Sequence, residues 1–377
     1  MSKYWNDRVK NLDPYVPGEH PRNKRVIKLN TNENPYPPSP GVVEAIQRAL
    51  SAGSTGGAGD QLRLYPDPGS LELREAAAER YGVHPDQVFP GNGSDEVLAF
   101  SFGTFFNSDA AAPVLFPDIT YIFYQIYAGL WNIPFRAIPL GDDFSITGGD
   151  YLLPAAGVVF PNPNAPTGRA QSFEDMVRVV DFQHKRNRVV IVDEAYTAFG
   201  ARSVVPLIRD YPNLLTIHTL SKMGSLAGLR VGFAIGHEEL ITGLCRIRDS
   251  FNSYPLDRLA QAGAAAALKD HAYYAGITQK IIATRERTAA AFSTLGFTVI
   301  PSQTNFLFVS PPQKPGDTVP RGAAFFTALR DRGILVRYFN KPRITDFVRI
   351  SIGTDEDMAV LLKVCEELVS PAGPCAF

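Results

Sequence analysis

Cysteine is scarce in this 377-residue chain, with only Cys245, Cys365 and Cys375, far apart in sequence. An odd, scattered set offers no disulfide framework and no metal-ligand spacing, and it fits a reducing cytoplasm. Charge of one sign is also missing. Lys and Arg number 37 against 38 Asp and Glu, a net charge of −1. No overall field therefore favours nucleic acid or an anionic membrane surface. Apolar runs stop well short of the roughly 20 residues that span a bilayer. The opening Met1-Ser2-Lys3-Tyr4-Trp5-Asn6-Asp7 lacks the apolar centre of a signal peptide. What remains is 45% hydrophobic and 20% charged, the composition of a soluble globular protein long enough for two domains.

Residues 1–38 are rich in proline, asparagine and charge, without sustained period, and read as an arm that drapes over other parts of the molecule. Ser39-Pro40 predicts a helix N-terminus running to about Leu50, and Ser70 a second cap before a helix over 71–81. Residues 51–69 form a glycine-rich loop containing Tyr65. Between 90 and 240, continuous apolar runs at Pro113–Phe116, Gly157–Phe160, Val189–Val192, Leu214–His218 and Val231–Ile235 alternate with helical stretches such as 173–187. Continuous rather than alternating runs indicate strands buried on both faces, hence an α/β fold with a mostly parallel sheet between helices. After a helical region near 237–295, strands are predicted at Phe297–Ile300, Thr304–Val309, Ile334–Tyr338 and Val348–Ile352, with helices over 322–332 and 355–369. The expected division is an arm (1–38), a large domain (39–265) and a smaller α+β domain (266–377).

One window dominates the chemistry. From Thr219 to Gly228 the sole ionisable side chain is Lys222, flanked by Thr219 and Ser221, with Arg230 eight positions on. Desolvation of a lysine disfavours its charged form and exposes a nucleophilic amine, as an imine-forming lysine requires. The hydroxyls and the planar fork of Arg230 suit a phosphate. A lysine of this kind beside an anion cradle suggests pyridoxal phosphate, where an isolated lysine would be read as part of a surface loop.

Other segments add weight in combination. Pro90-Gly91-Asn92-Gly93-Ser94-Asp95 runs from a glycine-rich turn into an apolar helix. Ser94 or Asp95 is expected to cap it, and its open amides suit phosphate. Asp193, at the carboxyl end of an apolar strand, is placed where open α/β sheets bind ligands and can pair with a protonated pyridine nitrogen. The alternative is that Asp193 or Glu194 caps the next helix. Tyr196 can reach a ring oxygen, and Tyr121 can stack on an aromatic ring. Asn164 lies in the rigid turn Pro161-Asn162-Pro163-Asn164-Ala165-Pro166, whose X–Pro bonds permit cis peptides. Arg337 and Arg349 each sit inside an apolar strand and need a partner, either an acid or a substrate anion.

Together these segments resemble the fold-type I pyridoxal-phosphate aminotransferases, and among them the histidinol-phosphate aminotransferase family. The likeness extends from Pro14-Tyr15 and Asn30-Thr31-Asn32-Glu33-Asn34-Pro35 to Arg349-Ile350-Ser351-Ile352-Gly353. It implies that Lys222 is the Schiff-base lysine and proton shuttle, Asp193 the partner of the pyridine nitrogen, and Tyr196 the donor to the ring hydroxyl. It further implies that Ser94, Asp95, Thr219, Ser221 and Arg230 bind the phosphate and that Tyr121 stacks on the ring. Arg349 would anchor substrate, with Tyr15, Asn305 and Arg337 as the remaining substrate contacts. Tyr65 would reach a neighbouring subunit's site, implying a homodimer. One departure stands out. The family commonly has asparagine where this chain has Ala165, so either Asn164 takes over the contact to the ring oxygen or the contact is lost; Asn164 is the expectation.

The reaction implied is amino transfer from histidinol phosphate to a 2-oxo acid. Aromatic amino-acid aminotransferases and threonine-phosphate decarboxylase share nearly every motif. A non-catalytic cofactor-binding regulator would carry a DNA-binding segment, for which the chain has neither room nor basic charge. A nucleotide-binding dehydrogenase is disfavoured because Pro90–Asp95 lacks the third glycine of the dinucleotide fingerprint.

Overall fold

The computed structural model describes residues 3–15, 18–19, 26–51, 59–109, 111–313 and 319–370. Parts of the expected arm (16–17 and 20–25), part of the glycine-rich loop (52–58) and Cys375 lie outside the described residues.

A seven-stranded sheet runs through the larger part of the chain. Its order is Val88–Asn92, Val231–Gly236, Leu214–Thr219, Val189–Asp193, Gly157–Pro161, Val114–Pro117 and Phe135–Ile138. Every neighbouring pair is parallel except the two made by Val231–Gly236, which is antiparallel on both sides. The apolar runs follow from burial on two faces. Val190 and Val192 join one cluster with Val158, Phe160 and Phe233, whereas Ile191 joins the other with Val159, Leu215 and Ile217. Alternate residues of one strand therefore enter opposite cores, each contributing about 1.5–3 kcal/mol relative to exposure. Two strands lack the apolar run. Phe135–Ile138 is an edge strand with three exposed residues, and Val88–Asn92 contains Pro90 and Gly91, which read as a turn.

A second sheet, wholly antiparallel, has the order Arg337–Tyr338, Val348–Ser351, Phe306–Ser310, Thr298–Ile300. Helices Arg321–Asp331 and Asp355–Val369 accompany it, the latter opened by a capping box between Thr354 and Asp357. The strand expected over Ile334–Tyr338 is divided. Ile334–Leu335 pairs in parallel with Ile27–Lys28, and only Arg337–Tyr338 joins the small sheet. The N-terminal segment is stitched down there, with Leu29 N–H donating to Leu335 O (2.7 Å) and Ser351 N–H to Leu29 O (2.9 Å).

Two capping expectations are corrected. Ser70 takes a left-handed conformation and makes no side-chain cap; Asp67 accepts instead from Gly69 N–H (3.0 Å) and Leu71 N–H (2.7 Å). The helix Gly93–Phe105 begins one residue before Ser94, so Ser94 and Asp95 lie in its first turn, and Glu96 accepts from Asn92 N–H at 2.7 Å. Among the described residues no helix is long and apolar enough to cross a membrane.

Candidate active site

The parallel strands end at one edge of the large sheet. Asp193 and Thr219 are the last residues of their strands, and the loops carrying Tyr121 and Asn164 follow two others. The antiparallel strand begins at that same edge, because Asn92 pairs with Val231 and Thr219 with Gly232. Arg230, just before it, is thus delivered beside Ser221 and the helix that starts at Gly93. The approach requires glycine, since a Cβ on Gly232 would collide with the backbone of Gly93 and Ser94.

These residues enclose a cavity of about 290 Å³ whose wall includes Ser94, Asp95, Tyr121, Asp193, Tyr196, Thr219, Ser221, Lys222 and Arg230. Lys222 is partly buried; its Nζ donates to the Thr31 carbonyl at 3.2 Å and makes no ion pair among the described residues. At one side of the cavity, Arg230 Nη2 meets Asp95 Oδ2 at 2.8 Å, and Nη1 meets Ser221 Oγ at 3.5 Å. Thr219 Oγ1 accepts from Ser221 N–H at 3.1 Å. Tyr121 donates its hydroxyl to Asp95 Oδ1 at 2.6 Å. Asp95 therefore orients both the arginine fork and the Tyr121 ring with its carboxylate.

Asp193 is only 6% exposed. Its Oδ2 accepts from the Tyr124 hydroxyl at 2.9 Å and Oδ1 from Ala195 N–H at 3.1 Å. Burial pushes its carboxyl up to about 6, although both hydrogen bonds oppose the rise. The neighbouring Glu194 is committed elsewhere, to Ser203 Oγ (2.6 Å) and Val204 N–H (2.7 Å), and burial pushes it up to about 7. Of these two acids, Asp193 lines the cavity and Glu194 does not.

Asn164 does not line it. Its Oδ1 accepts from Thr120 (2.9 Å) and its Nδ2 donates to Ile119 O (2.9 Å) and Thr167 Oγ1 (3.0 Å), while Ala165 forms the wall. Asn305 likewise stands behind the wall, donating to the Asn32 carbonyl at 3.0 Å. Tyr65 lies outside it, 76% exposed and stacked on Tyr254 with centroids 4.4 Å apart.

A second cavity, about 460 Å³, shares Tyr121 and Ala165 with the first. Ile119, Ile122, Ile126, Phe135 and Ile344 supply apolar wall, and Tyr15, Arg337, Lys341 and Arg349 its polar part. Arg337 and Arg349 are direct cross-strand partners. Like charges so placed destabilise a strand pair unless an anion joins them. Arg349 donates to the Asn30 carbonyl at 3.1 Å, its Nε is buried with no partner, and it makes no ion pair among the described residues.

Three contributors were not visible in the sequence. Tyr124 holds Asp193 from 69 residues away, Asn32 donates to the Tyr196 hydroxyl at 2.9 Å across 164 residues, and Asn34 donates to the Lys222 carbonyl at 3.0 Å across 188. Separations of that size leave no periodic signal.

Residues 24–364 match the family model for aminotransferase class I and II. The chain is 50% identical over 370 residues to histidinol-phosphate aminotransferase of Clostridium acetobutylicum, covering 98% of this chain and 100% of the relative. It is 51% identical over 373 residues to histidinol-phosphate aminotransferase 1 of Bordetella parapertussis, with 98% and 100% covered. Its fold is similar, at a TM-score of 0.82 and 26% identity over 98% of each chain, to histidinol-phosphate aminotransferase of Sinorhizobium meliloti in complex with pyridoxal-5'-phosphate.

Proposed function

Because the chain belongs to the class I and II aminotransferases, among the histidinol-phosphate aminotransferases, we propose that it transfers the amino group of histidinol phosphate to 2-oxoglutarate, giving imidazole-acetol phosphate and glutamate, with pyridoxal phosphate as cofactor. The observation that carries this reading is Lys222 Nζ in a cavity bounded by the buried carboxylate of Asp193 and by the Arg230, Ser94 and Ser221 anion pocket.

The donor set fits that cofactor. Arg230, Ser94, Thr219 and Ser221 with the amides of the first helical turn would hold its phosphate. Asp193 would face its ring nitrogen, and a cationic N–H there offsets the cost of burying the carboxylate. Tyr121 would pack on the ring and Tyr196 would donate to its oxygen. Once bound, the cofactor supplies an electron sink for the substrate carbon that loses its proton. Lys222 Nζ then acts as the amine that carries the α-proton. Arg349 and Arg337 receive the substrate phosphate, with Tyr15 beside them: Arg337 lies over the Tyr15 ring at 5.7 Å. The apolar wall of the larger cavity accommodates the imidazole-bearing end.

The same reading makes the protein a homodimer in which Tyr65 completes the partner's site. The exposed Tyr65 and Tyr254, stacked with centroids 4.4 Å apart, and the exposed Leu62 and Leu64 beside Tyr65 in sequence support it, since exposed apolar groups mark association. It also includes the three-part division: the separate seven- and four-stranded sheets support a large and a small domain, while the helix Arg258–Lys269 runs through the 265/266 boundary. A reducing cytoplasm is supported by the unpaired Cys245 and Cys365.

Substrate choice is tested by mixing the cofactor-loaded protein separately with histidinol phosphate, phenylalanine and threonine phosphate and following the cofactor's absorbance. The reading requires the highest kcat/KM for histidinol phosphate. A higher value for phenylalanine would reassign the protein to the aromatic amino-acid aminotransferases, and CO₂ release from threonine phosphate would reassign it to the decarboxylases.

A further inference from the structure

We propose that Asn32 is a positioning residue that turns the Tyr196 hydroxyl proton into the cofactor cavity. The amide nitrogen of asparagine only donates, so at the 2.9 Å contact between Asn32 Nδ2 and Tyr196 Oη the tyrosine oxygen accepts. Its own proton is thereby directed elsewhere, and Tyr196 lines the cavity. The amide is held in this sense from behind. Ser351 Oγ–H donates to Asn32 Oδ1 at 3.0 Å, and Asn32 N–H donates back to Ser351 Oγ at 2.8 Å. Asn32 and Ser351 are both buried. Reversing the amide would take the Oδ1 acceptor from the serine proton and turn it on Tyr196, a costly arrangement away from water. The Asn305 amide clamps the Asn32 carbonyl at 3.0 Å, and the backbone of Asn32 is left-handed with φ 55°, a conformation asparagine tolerates better than most residues.

The sequence gives this contact unusual weight. Ala165 provides no donor, and every polar atom of the Asn164 side chain is committed away from the cavity. Tyr196 is left as the side-chain donor for a ring oxygen at that wall, and Asn32 decides whether its proton is available. The inference rests on the proposed cofactor reading and adds to it a residue carried by the N-terminal segment.

The test is a pH titration of the visible band of the cofactor-loaded protein, comparing wild type with Asn32→Asp, Tyr196→Phe and the double variant. A carboxylate at 32 only accepts, so it draws the Tyr196 proton away from the cavity. A ring oxygen deprived of its donor holds the shared imine proton more tightly. The titration midpoint should therefore rise by about one pH unit in Asn32→Asp, in the same direction as Tyr196→Phe. The double variant should match Tyr196→Phe alone. Glu33, Asp95, Asp193, Tyr121, Lys222 and Arg230 also face the cavity and are unchanged throughout. A simple charge effect of the new carboxylate would persist without the tyrosine hydroxyl, so additive shifts overturn the proposal. An unmoved midpoint in Asn32→Asp overturns it too. Should that variant fail to fold, Ser351→Ala releases the amide and should raise the midpoint by a smaller amount, with no shift counting against the proposal. If wild type binds pyridoxal phosphate without a titrating visible band, the cofactor reading itself fails and takes this inference with it.

Discussion

The Tyr124 hydroxyl donates to Asp193 Oδ2 at 2.9 Å, joining a fully buried tyrosine to the one acid that faces the cofactor cavity from the sheet edge. This bond lowers the carboxyl against the rise caused by burial. Tyr124→Phe should raise it further and narrow the pH range in which Asp193 is ionised. Cofactor affinity in wild type should fall as pH drops through about 6. In Tyr124→Phe the same loss should set in at higher pH, as a fluorescence titration with pyridoxal phosphate would record. Identical profiles would remove Tyr124 from the site.

Asp193 sets activity against stability. Its folded-state value of about 6 exceeds the ordinary 3.8. A raised carboxyl contributes stability that is present below the unfolded value and lost as pH rises through the folded one. The cofactor-free Asp193→Asn variant should therefore match wild type near pH 3.5 and exceed it above pH 7 by about 3 kcal/mol. Thermal melts at the two pH values check this. The same substitution should reduce turnover by orders of magnitude, and a near-normal rate would return Asp193 to a purely structural role.

Arg337 and Arg349, paired across the strands, predict a phosphate-specific loss. Losing a charge-assisted contact to a buried anion costs about 1.5–3 kcal/mol, or roughly 10- to 150-fold. Arg337→Ala and Arg349→Ala should weaken histidinol phosphate by that factor in steady-state kinetics while cofactor affinity stays within about two-fold. Equal loss of both would show that the arginines support the fold and not the substrate.

Tyr65 predicts complementation between subunits. Lys222→Ala and Tyr65→Phe, each impaired alone, should regenerate activity when mixed, because a hybrid dimer holds one site with both wild-type residues. Sedimentation as a monomer at micromolar concentration would contradict the dimer.

The parts of the fold legible in the sequence are those where a single physical constraint acts on consecutive residues. Val189–Val192 and Leu214–His218 read as buried strands because both faces of the sheet are covered. Phe135–Ile138 did not, because an edge strand with exposed residues needs no apolar run. The local lysine window placed Lys222, Ser221 and Arg230 around one cavity, and the strand end placed Asp193 there. Pairings such as Asn32 with Tyr196 depend on how the N-terminal segment threads beside the small sheet. The surroundings of Asn164 are illegible for a related reason: its neighbours Ile119 and Thr120 come from another strand's loop and bond its amide.

Reduction of the pyridoxal-phosphate-loaded protein with borohydride, followed by proteolysis and mass mapping, addresses the role of Lys222 most directly. The reduced cofactor should be found on Lys222, whose Nζ lines the cavity beside Asp193, Tyr196 and Arg230. Lys222→Ala should retain the fold by circular dichroism and lose both the label and turnover. A label on any other lysine, or undiminished labelling in Lys222→Ala, would contradict the account.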